Sequence, residues 1–183
     1  MALTQNKTKT NLKPFELKDP YEIHEYTKSM DIQTLPFDIF SLVNTIDEIH
    51  YIEDYLDKGV MFIIKYDKET ETFKIVSNSY HCLACRRFSL ATALGHVLLN
   101  KDKLIKENAE IKEHTCFSGD RYVSRFAFDL MIPKEHLDYL VKSGMTKITK
   151  LAEIFQVLNT MIYYRALKYG GYKVTPKKLK WIW

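Results

Sequence analysis

Residues 86–99 decide the fold, and they read RRFSLATALGHVLL. Large apolar side chains recur here at intervals of three and four residues, which is the spacing of one face of an α-helix. They are Leu90, Leu94, Val97 and Leu98. Within residues 88–99, His96 is the only ionisable side chain. The pattern predicts a long apolar helix over about residues 83–99 that carries one histidine.

A β-hairpin is predicted immediately before this helix. The run VMFII at residues 60–64 is typical of a strand, residues 67–70 form a polar turn, and TFKIV at residues 72–76 alternates apolar and polar side chains. Further upstream, residues 21–30 favour a short helix. Asp38 is placed to cap a second helix, and the apolar spacing over residues 45–55 indicates a third.

The sequence after the long helix is mostly helical. A charged segment over residues 101–113 precedes a predicted helix at residues 120–131, and a short helix follows at residues 135–141. Residues 147–155 and 160–169 predict a pair of helices in a helix-turn-helix-like arrangement. The expected fold class is α+β, mostly helical, with a small antiparallel β-hairpin or sheet.

Composition excludes several classes of protein. The 183 residues are 46% hydrophobic and 27% charged, which is typical of a globular chain and not of a disordered one. Three cysteines are too few for a disulfide framework, and no apolar run has the length of a membrane span. The N-terminus lacks the apolar core of a signal peptide. We therefore expect a cytoplasmic protein without membrane contact.

The formal net charge of +4 is unevenly distributed along the chain. Residues 154–183 contain six cations and no acid. This asymmetry favours an anionic partner, such as nucleic acid or an acidic protein surface. A solvated terminal segment is the alternative interpretation.

Three segments together resemble the ImmA/IrrE family of metallopeptidase-like proteins. The helix at residues 86–99 is similar to the family's R-F-[ST]-x-A-H-E-L-G-H-x-L-L motif. FAFDLMIP at residues 126–133 is similar to F-A-x-E-L-L-M-P, and residues 150–165 are similar to L-A-x-x-F-x-V…Y-R-L. The segments occur in the family's order over about residues 59–172. The resemblance implies a zincin-like core helix and a protein of the kind carried by phages and mobile elements.

The resemblance fails at the residues that would perform catalysis. In H-E-x-x-H, two histidines at i and i+4 bind one zinc ion, and the glutamate accepts a proton from the zinc-bound water. Thr92 and Ala93 occupy the positions of the first histidine and of the glutamate, so only His96 remains. Asp120 stands near the position of the family's third ligand, a glutamate. We predict a degenerate motif with no catalytic residues and no resident cofactor.

Two other arrangements for zinc remain open at this point. The first adds His114 or Cys116 to the remaining motif ligands. The second combines the ligands of HCLAC at residues 81–85 with His114 and Cys116 in a separate thiolate-rich zinc site. Alternatively, the three cysteines are buried free thiols, or Cys82 and Cys85 have a redox role.

The second helix of the C-terminal pair and the tail after it form the predicted binding surface. Polar, aromatic and basic side chains there are suited to contacting phosphates, stacking on bases or docking a protein. They are Asn159, Thr160, Tyr163, Tyr164, Arg165, Lys168, Lys177, Lys178 and Lys180. The alternative is that the pair only caps the fold, with its tyrosines half-buried.

The predicted organisation has four parts. An N-terminal arm (residues 1–20) precedes a degenerate metallopeptidase-like domain (residues 21–145). The helix pair (residues 146–172) and a basic aromatic tail (residues 173–183) follow.

Three functions from different classes follow from these features. The first is stoichiometric binding to a protein partner, either a repressor or a nucleic-acid-binding defence protein, as by an antirepressor or an anti-CRISPR-like inhibitor. The second is nucleic-acid binding through the C-terminal helices, and the third is divergent zinc endopeptidase activity. The sequence favours the first function, because the catalytic groups are missing and the C-terminal end is basic and aromatic.

Overall fold

A four-stranded sheet and a long central helix organise the residues that the structure describes. The structure is a computed structural model, and it describes residues 13–169 and 172, without the side chains of residues 168 and 169. The α+β class predicted from the sequence is confirmed. No helix in this described part of the chain combines the length and the apolarity needed to cross a membrane.

Along the described residues, two α-helices precede three strands, and a long helix, a fourth strand and four further helices follow. The helices are α1 (Pro20–Ser29), α2 (Ile39–Val43), α3 (Leu83–Glu107), α4 (Arg121–Met131), α5 (Lys134–Lys142), α6 (Ile148–Phe155) and α7 (Asn159–Tyr164). A π-helical turn over Arg165–Tyr169 continues α7. The strands are β1 (Ile49–Asp54), β2 (Phe62–Asp67), β3 (Thr72–Asn78) and β4 (Ile111–Glu113).

The sheet is mixed and has the strand order β1-β3-β2-β4. Strands β2 and β3 form the predicted antiparallel hairpin, and β4 adds antiparallel to the outer edge of β2. Strand β1 pairs with the other edge of β3 in parallel. The hairpin is therefore antiparallel as expected, but the sheet as a whole is not.

Strand β1 replaces the helix that the apolar spacing predicted over residues 45–55, and that prediction is wrong. Strand β3 offers an edge along which β1 pairs over its whole length, from Ile49 opposite Phe73 to Asp54 opposite Asn78. Pairing of this non-local kind outweighs a local helical spacing over so few residues.

Helix α3 is longer than predicted, and its middle forms part of the core. Every residue from Arg87 to Leu98 is buried. The sheet, α2 and α4 all pack against this helix. The charged segment at residues 101–113 forms two elements, the last turns of α3 and strand β4. Asn108, with a left-handed φ of 49°, ends the helix.

Gly95 allows α3 and α4 to approach closely. A Cβ atom on residue 95 would lie 2.9 Å from Cδ1 of Phe126 and 3.3 Å from Cγ1 of Val123, and both neighbours are buried. We expect Gly95→Ala to lower the free energy of unfolding by about 1–2 kcal/mol, because overpacking outweighs the better helix propensity of alanine. Urea unfolding measures this change.

Gly119→Ala is the matched control for that substitution. An added Cβ atom at residue 119 has no atom within 4 Å. We therefore expect a change below about 0.5 kcal/mol at this position, as for an ordinary surface substitution. Equal losses of stability in the two variants would contradict the close helix contact.

Candidate functional site

The candidate site lies on the buried middle of α3, beside the loop that joins β4 to α4. We call residues 114–120 the connecting loop. Thr92, at the position of the family's first histidine, is fully buried. Its hydroxyl lies 3.0 Å from the carbonyl oxygen of Phe88 and 2.9 Å from that of Cys116. The side chain at this position therefore holds the connecting loop against α3.

His96 lies one turn further along α3 and faces an acidic neighbour that the sequence analysis did not select. Its Nε2 atom is 3.4 Å from Oε1 of Glu113 at the end of β4. The Ser118 hydroxyl donates to the same carboxylate oxygen over 3.2 Å. Burial lowers the pKa of His96, and the charges of Glu113 and Asp120 partly oppose that effect. The imidazole is therefore neutral at pH 7.

Asp120 is used as the N-cap of α4. Its Oδ1 atom accepts hydrogen bonds from the backbone N–H of Tyr122 over 2.8 Å and from that of Val123 over 3.3 Å. A carboxylate in this position satisfies two of the helix's free N–H groups and opposes its positive end. Asp120 also influences the charge of His96, so the structure brings both residues to one region.

The elements that form this site lie within the span of one known protein family. The family model of the IrrE N-terminal-like domain, Peptidase_M78, matches residues 55–167, which is more than half of the chain. The chain belongs to this family. A search of curated proteins found no match. The match spans the hairpin, the motif helix and most of the helical half of this IrrE-like protein, so the family resemblance stated from the sequence is confirmed.

The residues of this IrrE-like site do not fit a catalytic zinc ion. Such an ion needs three protein ligands and one open position. The Thr92 hydroxyl is engaged by two backbone carbonyls, and Ala93 has neither a ligand atom nor a base. No group of three His, Cys, Asp or Glu side chains within residues 13–169 is placed to hold a metal. No hydrolytic step through zinc follows from this arrangement.

The other metal candidates from the sequence do not converge on His96 either. His114 is exposed on the connecting loop. Cys116 instead interacts with the thiol of Cys85, which lowers the pKa of Cys116. Cys85 also lies next to Cys82, with 3.3 Å between the two sulfur atoms. The three cysteines thus meet, although they belong to two segments of the chain.

The interpretation of the three cysteines as buried free thiols is right about the free thiols and wrong about their burial. Cys82 is exposed, and the other two are half-buried. The reason is their position, since Cys82 is the N-cap residue of α3 and lies outside the buried part of that helix. His81 turns away from them, and its Nε2 atom lies 3.3 Å from the carbonyl oxygen of Val60.

The structure divides the predicted C-terminal binding residues into exposed and buried groups. Asn159 and Thr160 are exposed, and Tyr163 and Tyr164 are half-buried. The expected exposure of Arg165 is wrong, because only 3% of it is accessible. Its guanidinium lies 2.7 Å from Oδ1 of Asp129 and donates to the carbonyl oxygen of Ile132 over 2.9 Å. A buried cation needs such partners, and here the fold supplies them.

The remaining predicted binding residues lie outside the described part of the structure. They are the side chain of Lys168 and the whole of Lys177, Lys178 and Lys180.

An aromatic cleft of about 600 Å³ opens beside the connecting loop. Phe117 stacks on Phe128 with 5.6 Å between ring centroids and meets the edge of Tyr164 at the same separation. Arg121 lines the same cleft. The sequence analysis missed Phe117 and Glu113. The only sequence signal for β4, the strand that carries Glu113, was the single apolar residue Ile111 between charged neighbours.

Proposed function

We propose that this IrrE-like protein acts without catalysis, by stoichiometric binding to a protein partner. The proposed partner is a repressor or a nucleic-acid-binding defence protein. That role corresponds to an antirepressor or to an anti-CRISPR-like inhibitor encoded by a phage or mobile element. A retained scaffold with a changed active site suits such a role, because function resides in the site and not in the fold.

Thr92 is the observation that carries the proposal. The position that needs a zinc-binding imidazole holds a hydroxyl that ties the connecting loop to α3. The next position is alanine, which cannot accept a proton. The single remaining motif histidine is close to Glu113. The three positions serve internal contacts, which supports a binding function over hydrolysis.

The charge of the C-terminal end supports a partner with an acidic surface. Residues 154–183 contain no acid. Asn159 and Thr160 present polar side chains at the exposed start of α7. A basic C-terminal end is complementary to acidic patches on the surface of its target.

Affinity capture from the native cell, with bound metal measured in parallel, tests the proposal. We expect an equimolar complex that resists chelators, a partner of unchanged mass and less than about one tenth of a zinc ion per chain. Turnover of many partner molecules by one copy of the protein would refute the proposal. About one zinc ion per chain, removed together with the activity by a chelator, would refute it as well.

A charge variant tests where the partner binds. We expect replacement of Lys177, Lys178 and Lys180 by alanine to weaken the captured complex about tenfold or more and to reduce its salt dependence. The control replaces Lys58, Lys68 and Lys103, three exposed lysines elsewhere, by alanine. Equal weakening by the two triple variants would exclude a specific role for the tail. Retention of nucleic acid in place of protein would favour the nucleic-acid-binding alternative.

A further inference from the structure

Three thiols from two distant segments meet at the N-terminal end of α3. Cys82 precedes the first turn of the helix, Cys85 lies within that turn, and Cys116 lies on the connecting loop. The Cys82 thiol donates to the Cys85 sulfur over 3.3 Å, and Cys85 also interacts with Cys116. Cys85 therefore stands between two other thiols.

We propose that this cluster is a redox-active site at which a low-molecular-weight disulfide of the glutathione type oxidises Cys82 and Cys85 to an intramolecular disulfide. The proposal is independent of the partner-binding function. The geometry supports it in two respects. A Cys-x-x-Cys pair at the start of a helix places two sulfur atoms close enough to bond, and the exposure of Cys82 gives the oxidant access.

The reaction is a pair of thiol–disulfide exchanges. The thiolate of Cys82 attacks one sulfur of the oxidant, so that a mixed disulfide forms and one thiolate leaves. Cys85 then gives up its proton and attacks the Cys82 sulfur, which forms the Cys82–Cys85 bond and releases the second thiolate. Both released thiolates take up the protons that the two cysteines lose. One disulfide is reduced to two thiols while two protein thiols are oxidised.

Cys116 is placed to assist the second exchange as a positioning residue. Its interaction with the Cys85 thiol lowers the pKa of Cys116. A sulfur atom held beside Cys85 can receive the proton of Cys85 when that sulfur attacks. The carbonyl group of Cys116 is held by Thr92, so the thiol is fixed near its partner.

Equilibration of the full chain with oxidised and reduced glutathione tests the proposal. After acid quenching, alkylation and digestion, mass spectrometry locates any disulfide. In the wild-type protein we expect a Cys82–Cys85 disulfide and an alkylated Cys116. Retention of three free thiols under a large excess of oxidised glutathione would overturn the proposal, provided that the urea-unfolded chain reacts under the same conditions.

Two variants separate the roles of the cysteines, with circular dichroism as the check on folding. We expect Cys82→Ser to form no intramolecular disulfide. We expect Cys116→Ser to form the Cys82–Cys85 disulfide, but about tenfold more slowly and with accumulation of the glutathione adduct on Cys82. A Cys85–Cys116 disulfide in the Cys82→Ser variant, at the wild-type rate, would overturn the assigned pair. An unchanged second step in Cys116→Ser would overturn the role of Cys116.

Discussion

Replacement of Arg165 by alanine is expected to lower the free energy of unfolding by about 2 kcal/mol, because it removes a buried guanidinium together with its ion pair to the half-buried Asp129. The guanidinium is 3% accessible and bonds to Asp129 and to the carbonyl oxygen of Ile132. Alanine would leave the buried carbonyl group of Ile132 without this donor, whereas the half-buried Asp129 keeps its ion pair with Arg125. Urea unfolding monitored by circular dichroism measures the loss.

Lys150→Ala is the matched control for the loss of one positive charge. Lys150 forms an exposed ion pair with Glu153 on α6, with 2.7 Å between Nζ and Oε2. Pairs of this kind contribute less than about 0.5 kcal/mol. A stable Arg165→Ala protein that loses affinity for a partner would contradict the structural assignment and restore Arg165 to the binding surface.

Acidification is expected to remove about 3 kcal/mol of stability between pH 6.5 and pH 4 through His24. Its Nε2 atom donates to the carbonyl oxygen of Leu130 over 2.9 Å, and its ring lies against Phe37. Burial lowers the pKa of His24 from 6.5 to about 4, despite the opposing effect of the bond to Leu130. The unfolded chain binds a proton first as the pH falls, so stability is complete above pH 6.5 and decreases below it.

His24→Gln isolates this contribution from the titration of the carboxylates. Glutamine retains an N–H donor for Leu130 but has no charge at any of these pH values. Between pH 7 and pH 4, we expect the variant to lose about 3 kcal/mol less of its free energy of unfolding than the wild type loses. His96 contributes in the same direction in both proteins, since burial also lowers its pKa. Parallel pH profiles for the two proteins would contradict the assignment to His24.

Local patterns predicted those parts of the fold whose cause is local. The start of α3 and the polar turn of the hairpin follow from neighbouring residues, and both occur where the sequence placed them. Asp38 also caps α2 as predicted, since its Oδ1 atom accepts from the backbone N–H of Ser41 over 3.1 Å. A helical period or an N-cap requires only contacts within a few residues, so the sequence displays it directly.

Elements that depend on distant partners were predicted incorrectly or missed. Strand β1 forms because β3 is present to pair with it, although its own spacing suggested a helix. Strand β4 is three residues long and forms against β2. Strand β1 reads IHYIED, without the alternation that identified β3, and β4 is too short to show a period.

The candidate site shows the same division. Thr92, Ala93 and His96 share one helix, so their relation follows from the spacing of the motif. Glu113 was not predicted beside His96, because it is brought there by the sheet. Arg165 was expected to be exposed, since cations usually are, and only the packing of α7 against the preceding helices shows otherwise.

By itself, the sequence determined the helical period of α3, the membership suggested by its motifs and the absence of a zinc ligand and a base at Thr92 and Ala93. These are properties of residue identity and short-range spacing. The tertiary structure decided that Glu113 lies beside His96, that Cys116 meets Cys85 and that Arg165 is buried and paired with Asp129. Each of these pairs joins residues from different elements. Bringing distant parts of the chain together costs conformational entropy, and the packing of the whole core offsets that cost.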